Sequence, residues 1–155
     1  MLRKRNLPTG SRQIVSVDLA GDFVGLNALM FDTADFDHVC RTPVEAFRFR
    51  PAELRAALDR FPAVGRALFW VTAHEENLLA ERVVSLGRRT STERAAHLLS
   101  ELLARIEILA GEAADELAVP LTQEDVADLL GISAVHANKV LRLLHHEGIA
   151  TLRAG

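Results

Sequence analysis

The sequence predicts an α+β chain in which a mixed, β-rich front part leads through one long helix into a helical back part. Three observations carry this. All seven Phe and the single Trp fall between Phe23 and Trp70, and nothing after Trp70 is aromatic. Aromatic and β-branched residues favour strands, whereas Ala, Leu, Glu and Arg runs favour helices, so the composition changes near residue 60. Beyond Pro62 no proline intervenes before Pro120, and Ala, Leu, Glu and Arg dominate.

The bulk numbers exclude several classes. The chain has 155 residues, 49% hydrophobic and 25% charged, with a mean hydropathy of +0.12. That is enough for a folded core, and it argues against global disorder. A single cysteine, Cys40, excludes a disulfide scaffold and a four-cysteine metal site. No run approaches the ~20 apolar residues that cross a bilayer. The basic start, Met1 to Asn6, is followed by no apolar run and does not read as a signal peptide. A folded cytoplasmic protein with no membrane partner is expected. Eighteen Lys and Arg against 21 Asp and Glu give a net charge of −3, which neither supports nor forbids nucleic acid, because a local basic face is what matters.

The elements follow in order. Residues 13–19 alternate as a strand, with Val15, Val17 and Leu19 on one face, and Ala20-Gly21-Asp22 turns. His38 to Thr42 and Val44 to Arg50 read as two short strands divided by Pro43, with Phe47 and Phe49 sharing a face. Pro51 suits the first turn of a helix over 52–60, and Pro62 opens a longer one to about Leu86. Val64, Leu68, Val71, Leu78, Leu79, Val83 and Leu86 form its stripe. A helix of ~25 residues spans roughly 40 Å, more than a small domain needs, so a parallel two-helix seam with a second copy is expected. Gly87-Arg88-Arg89 breaks the pattern. Thr90 and Glu93 form a capping box for a helix whose face is Ala95, Leu98, Leu99, Leu102, Leu103 and Ile106. Residues 111–118 read as a loop, and 119–121 as extended.

Chemistry concentrates between Leu121 and Leu144. Thr122 caps a helix that begins at Gln123, with Asp125 three residues on and Glu124 beside it, both suited to a helix N-terminus. Val126, Leu129 and Leu130 give the apolar face, and Ala127 is small where a second helix must approach. Gly131 takes the left-handed conformation that ends this helix, Ile132 points inward, and Ser133 caps the next. In that second helix Ala137, Val140, Leu141 and Leu144 cluster on one side, and Val135, Lys139, Arg142 and His146 on the other. No acid lies between Ala134 and His146. Two capped helices about a three-residue Gly turn, with a basic outer face on the second, describe a helix-turn-helix. An ordinary helical hairpin would explain the caps but not the separation of acids from cations. Gly148 ends the second helix, and residues 149–153 read as the first strand of a wing.

The segment from Thr122 to Ile149, with Gly131, Ser133, Lys139 and Gly148 in place, resembles the winged helix-turn-helix of the Crp/Fnr family, that of the cyclic-AMP receptor protein and the fumarate-nitrate reductase regulator. Upstream, Arg12 to Ser16 and Gly21-Asp22-Phe23-Val24-Gly25 are similar to distal strands of that family's effector-binding β-roll, and Phe61-Pro62 precedes what resembles its dimerisation helix. The resemblance implies a partial β-roll of cyclic-nucleotide-binding, jelly-roll type over 1–60, a dimerisation helix and hinge over 61–89, and a winged helix-turn-helix over 90–155. It implies an effector-responsive homodimer joined through 62–86, reading a palindromic operator on double-stranded DNA through the helix 134–146, with RNA polymerase as a further partner. Roll and wing both look unfinished, so the chain reads as a larger regulator lacking both ends.

Two departures limit the inheritance. Cyclic-AMP binders of the family place a Glu after the Gly-Asp-Phe-x-Gly stretch and an Arg-Ser pair about ten residues on. Leu26 and Phe36-Asp37 stand there instead, and Leu79-Ala80 replaces the Thr-Ser pair that touches adenine. These changes argue against cyclic AMP, and Cys40 alone argues against the cysteine cluster of the oxygen-sensing branch. No cofactor is expected, and the effector is unassigned. In the reading head, Ala134, Val135 and Lys139 replace the Arg-Glu pair and the later Arg, so the operator should differ from the family's standard half-site. Lys139 can reach guanine and Val135 a thymine methyl. The expected DNA-binding set is Thr122, Ser133, Ala134, Val135, His136, Asn138, Lys139 and Arg142.

The remaining features read as structure. His38 and Cys40 lie two apart but have no further ligand near them in sequence, so no metal site is expected. His145 and His146 form the polar end of the recognition helix, and Arg88-Arg89 a solvated hinge. No nucleophile–base pair, paired catalytic carboxylates or phosphate-binding Gly loop is present, and an enzyme is not expected. The competing classes are a protein-association module in which the helix-turn-helix is merely structural, and an inactive fragment of a regulator.

Overall fold

The computed structural model describes residues 1–111 and 120–150. Leu2–Asn6 (β1), Arg12–Val17 (β2) and Asp37–Val39 (β3) form an antiparallel sheet in the order β2-β1-β3. The basic N-terminal stretch is therefore the central strand, although Arg3, Lys4 and Arg5 have no strand propensity of their own. Pairing on both edges overrides local preference.

The face expected for β2 is corrected. Arg3 pairs with Ser16 but Lys4 pairs with Ile14, so the register shifts between them and leaves Val15 as a bulge. The bulge brings Ile14, fully buried, and Val17 onto the inner side together, where plain alternation would separate them. Leu19 packs at the edge of the same core.

The two later strands also differ. β3 stops at Val39 because its partner, Leu2, is the first residue of β1. Residues 44–50 form no strand, for they meet no ladder partner among the described residues. Phe47 is 95% exposed there, while Phe49 stacks on Phe23 with centroids 6.4 Å apart.

The helices agree closely with the sequence pattern. Pro51–Arg60 (α1) and Pro62–Arg88 (α2, 27 residues) each begin with proline at the first turn. Gly87 and Arg88 remain helical, and the break comes at Arg89 instead. There the guanidinium bonds Ser85 Oγ at 2.9 Å and Glu81 at 3.0 Å, holding the chain as it turns. Thr90 caps Ser91–Ala110 (α3) through the expected box with Glu93, and Gly111 closes it in the left-handed conformation. The expected loop over 111–118 and the extended 119–121 lie largely outside the described residues.

Most of the α2 stripe turns inward. Val64, Leu68, Val71, Leu78 and Leu86 are half-buried on a helix that meets α1, β2 and α3 of its own chain. Leu79 and Val83 stay exposed, as do Phe69, Trp70 and Val84 of the same helix.

Gln123–Leu130 (α4) and Ala134–His146 (α5) complete the fold. One core joins the sheet to the last three helices: Leu2, Ile14 and Val17 meet Leu98 and Leu102 of α3, Leu129 and Leu130 of α4, and Leu144 of α5. The sheet thus packs directly on the helices that follow residue 89. Among the described residues, no helix is long and apolar enough to cross a membrane.

Candidate nucleic-acid interface

Each boundary of the α4–α5 pair has a local cause. Thr122 Oγ1 accepts from the Asp125 N–H at 3.1 Å, and the Thr122 N–H donates to Asp125 Oδ2 at 3.0 Å. Gly131, at φ 66°, ends α4. Ile132 is half-buried against the core, and Ser133 Oγ caps α5 by accepting from the His136 N–H at 3.3 Å. At the far end Gly148 is again left-handed, and the Ile149 N–H donates to Leu144 O at 2.9 Å. Ile149 and Ala150 therefore close α5 rather than open a strand, and the rest of the expected wing lies outside the described residues.

The apolar side of α5 is as expected: Ala137, Val140, Leu141 and Leu144 are all buried, and Ala127 of α4 is buried with them. Opposite them, Ala134, Val135, Lys139 and Arg142 are exposed. Neither Lys139 nor Arg142 forms an ion pair with a described residue.

His136 and Asn138 occupy the flanks between these faces, and each is tied to another helix. His136 Nε2 lies 2.7 Å from Ser91 Oγ at the start of α3. Asn138 Nδ2 donates to Gln123 Oε1 at 3.0 Å. Thr122 and Ser133 act as caps, so the eight expected residues divide into two caps, two braced flanks and four outward positions. Gln123 and Ser91 escaped the sequence reading. The only signal for Gln123 was its place beside the Thr122 cap, and Ser91 is 45 residues from His136.

The acids of α4 have a further role beside the expected one at the helix N-terminus. Asp125 is fully buried. Its Oδ1 receives Arg41 Nη2 at 2.5 Å and Arg12 Nη2 at 3.3 Å, and Arg12 Nε donates to Asp128 Oδ2. Burial pushes the Asp125 carboxyl up, but the hydrogen bonds from Arg41 and from the Thr122 backbone and hydroxyl outweigh it and leave it below its ordinary value. The Arg41 guanidinium is raised, chiefly by the same bond. Two of the three α4 acids thus answer to arginines of the sheet region. The separation of charge between the two helices reflects this contact as well as the exposed cations of α5.

The other candidates resolve simply. His38 Nδ1 lies 3.1 Å from Asp18 Oδ2, Cys40 is exposed, and no three His, Cys, Asp or Glu of the described residues gather as metal ligands. His145, His146 and Arg88 are exposed, whereas Arg89 is held as described above.

Residues 93–155 match the model of the Crp-like helix-turn-helix domain. The chain is 29% identical over 150 residues to the nitrogen fixation regulation protein FixK of Bradyrhizobium diazoefficiens, covering 96% of this chain and 62% of that one. It is 27% identical to the transcriptional activator protein FnrL of Cereibacter sphaeroides, covering 96% of this chain and 60% of that one. The chain thus spans about three fifths of these relatives. Its fold is similar to that of FixK2 from Bradyrhizobium japonicum, with a TM-score of 0.71 at 24% identity over 99% of this chain and 74% of that one. A global regulator of Xanthomonas campestris, CLP, superposes with a TM-score of 0.62 at 17% identity, over 99% of this chain and 76% of that one. The chain is therefore α+β, a partial β-roll followed by a helix-turn-helix.

Proposed function

We propose that the chain is a DNA-binding transcription regulator of the Crp/Fnr type, acting as an effector-responsive homodimer; its match to the Crp-like helix-turn-helix over residues 93–155 and its likeness to named regulators support this. The observation that carries this is the outer face of α5: acid-free, exposed, and bearing Lys139 and Arg142 without ion-pair partners among the described residues, on a helix capped and braced at its first turn.

In the complex, α5 enters the major groove. Lys139 reaches guanine O6 and N7, and Val135 and Ala134 make apolar contact with thymine methyls. Arg142 meets phosphate. His136 and Asn138 border the groove from the two flanks, and the Thr122 and Ser133 hydroxyls lie at helix starts, where phosphates are favoured. Two copies place their α5 helices at half-sites one helical turn apart, which makes the operator palindromic.

The second copy meets the first along α2. Because the inner stripe is engaged by the chain itself, the seam draws on the exposed Phe69, Val83 and Val84 rather than on Val64, Leu68 and Val71. The roll supplies the effector response. Leu26 opens a 3-10 turn and Asp37 sits in β3, so neither offers the cation that a cyclic phosphate needs, and cyclic AMP is not the effector. The protein acts in the cytoplasm with RNA polymerase as its downstream partner, and performs no catalysis.

A salt titration of binding to duplex DNA tests the proposal. Affinity should fall linearly on logarithmic axes as counterions are released, and a palindrome should bind more tightly than scrambled sequence. A dimer without any salt-dependent DNA affinity would replace the regulator with a protein-association module.

A further inference from the structure

We propose that Arg12, Gln13 and Arg41 are positioning residues for DNA reading: they clamp α4 to the sheet, so the set of the reading helix depends on the sheet as well as on the helix-turn-helix. This rests on the DNA-binding function proposed above.

The clamp has two rungs, one at Asp125 and one at Asp128. Arg12 and Gln13 are neighbours on β2, and Asp125 and Asp128 lie about one turn apart on α4. Arg12 bridges both carboxylates, Arg41 adds a bond to Asp125, and Gln13 Nε2 donates to the main-chain carbonyl of Asp128 at 2.6 Å. A side-chain amide on a helix carbonyl fixes the backbone itself, not merely a flexible tip. Gln13 also borders the turn into α5: a Cβ placed on Gly131 would lie 3.8 Å from its Oε1.

The clamp does not cover the reading face, since Val135, Lys139 and Arg142 are exposed while it is closed. It therefore favours DNA binding rather than blocking it. The first helix of a helix-turn-helix crosses the DNA backbone, where Asp125 and Asp128 would repel phosphate if left bare. Arg12 and Arg41 neutralise them. Opening the clamp loses both the orientation of α5 and this neutralisation, which gives a shift in the sheet a direct route to DNA affinity.

A charge swap tests this in the whole chain, with operator affinity and unfolding midpoint followed together. Arg12→Asp should weaken DNA binding about tenfold while the chain stays folded, and Arg12→Asp with Asp128→Arg should recover part of the loss by restoring the rung at 128, the mark of direct coupling. Asp128→Arg alone is the decisive arm. It adds positive charge and would tighten binding if only net charge mattered, but it should weaken binding because it sets two cations against each other. If Arg12→Asp unfolds the chain, Arg41→Gln with its partly exposed side chain takes its place, and weaker binding is again expected. Unchanged affinity in the folded single variants, or no recovery in the double variant, overturns the clamp. If the unsubstituted chain shows no salt-dependent DNA binding, the DNA-reading function itself falls, and the clamp's role with it.

Discussion

His136 Nε2 lies 2.7 Å from Ser91 Oγ, joining the first turn of the recognition helix to the first turn of α3. On the opposite flank Asn138 is held by Gln123. The helix that carries Lys139 is thus braced from both sides, and neither brace occupies its outer face. Ser91→Ala or Gln123→Ala should each remove one exposed hydrogen bond, worth about 0.5–1.5 kcal/mol. The expected outcome is DNA affinity reduced a few-fold on every sequence, with the unfolding midpoint lowered by only about 2–4 °C. Gel-shift titration beside a thermal melt measures both, and unaltered affinity in both variants would show that the braces do not position the helix.

Lys139 and Arg142 should separate by the kind of loss they cause. Lys139→Ala removes a base contact and should cost roughly 1–3 kcal/mol at one position of the half-site, relaxing preference there. Arg142→Ala removes a phosphate contact, weakening all sequences alike and lowering the salt slope by about one. Titrations of single-base operator variants at several salt concentrations distinguish the two. A uniform loss for Lys139→Ala would reassign it to phosphate.

The parts that the sequence made legible are those whose causes are local. The Thr122 and Ser133 caps, the Gly131 turn and the inner face Ala137, Val140, Leu141 and Leu144 depend on residues within a few positions of one another, and all stand where expected. The sheet depends on distant partners. Nothing within Leu2–Asn6 marks it as a central strand, and the bulge at Val15 exists only in its pairing with Arg3 and Lys4. Arg12 meets Asp128 across 116 positions. Asp125 completes the Thr122 cap as its spacing predicts, but its second oxygen belongs to Arg41 and Arg12, which no local pattern announces. Phe47 and Phe49 misled for the converse reason, since strand-forming residues need a ladder that the described chain does not offer them.

Gly131 should tolerate no side chain without cost. At φ 66° an L-residue is strained by about 1–2 kcal/mol, and an added Cβ would come within 3.1 Å of Leu86 Cδ2 at the end of α2. Gly131→Ala is expected to lower stability by at least that strain, read from denaturant unfolding. Leu86→Ala in the same background should relieve the clash but not the backbone strain. A double variant no more stable than expected from adding the two single losses would show that Leu86 simply moves aside.

Asp125 should make stability fall in acid. Its carboxyl is below its ordinary value in the folded chain, so its contribution is fully present above the unfolded value of about 3.9 and is lost as pH drops through the lower folded value. The groups facing it are Arg12 from β2, Arg41 just beyond β3, and Thr122 and Glu124 on its own side, and neither arginine titrates in that window. Asp125→Asn keeps the shape but loses the charge. Because both arginines are partly exposed and can turn to water, the loss should be about 1–3 kcal/mol, less than for a pair buried on both sides. Denaturant unfolding of the two proteins between neutral pH and pH 3 measures this, and their stabilities should converge as the acid limit is approached. A gap that stays constant across that range would place the stabilisation in packing rather than in the charged contact with Arg12 and Arg41.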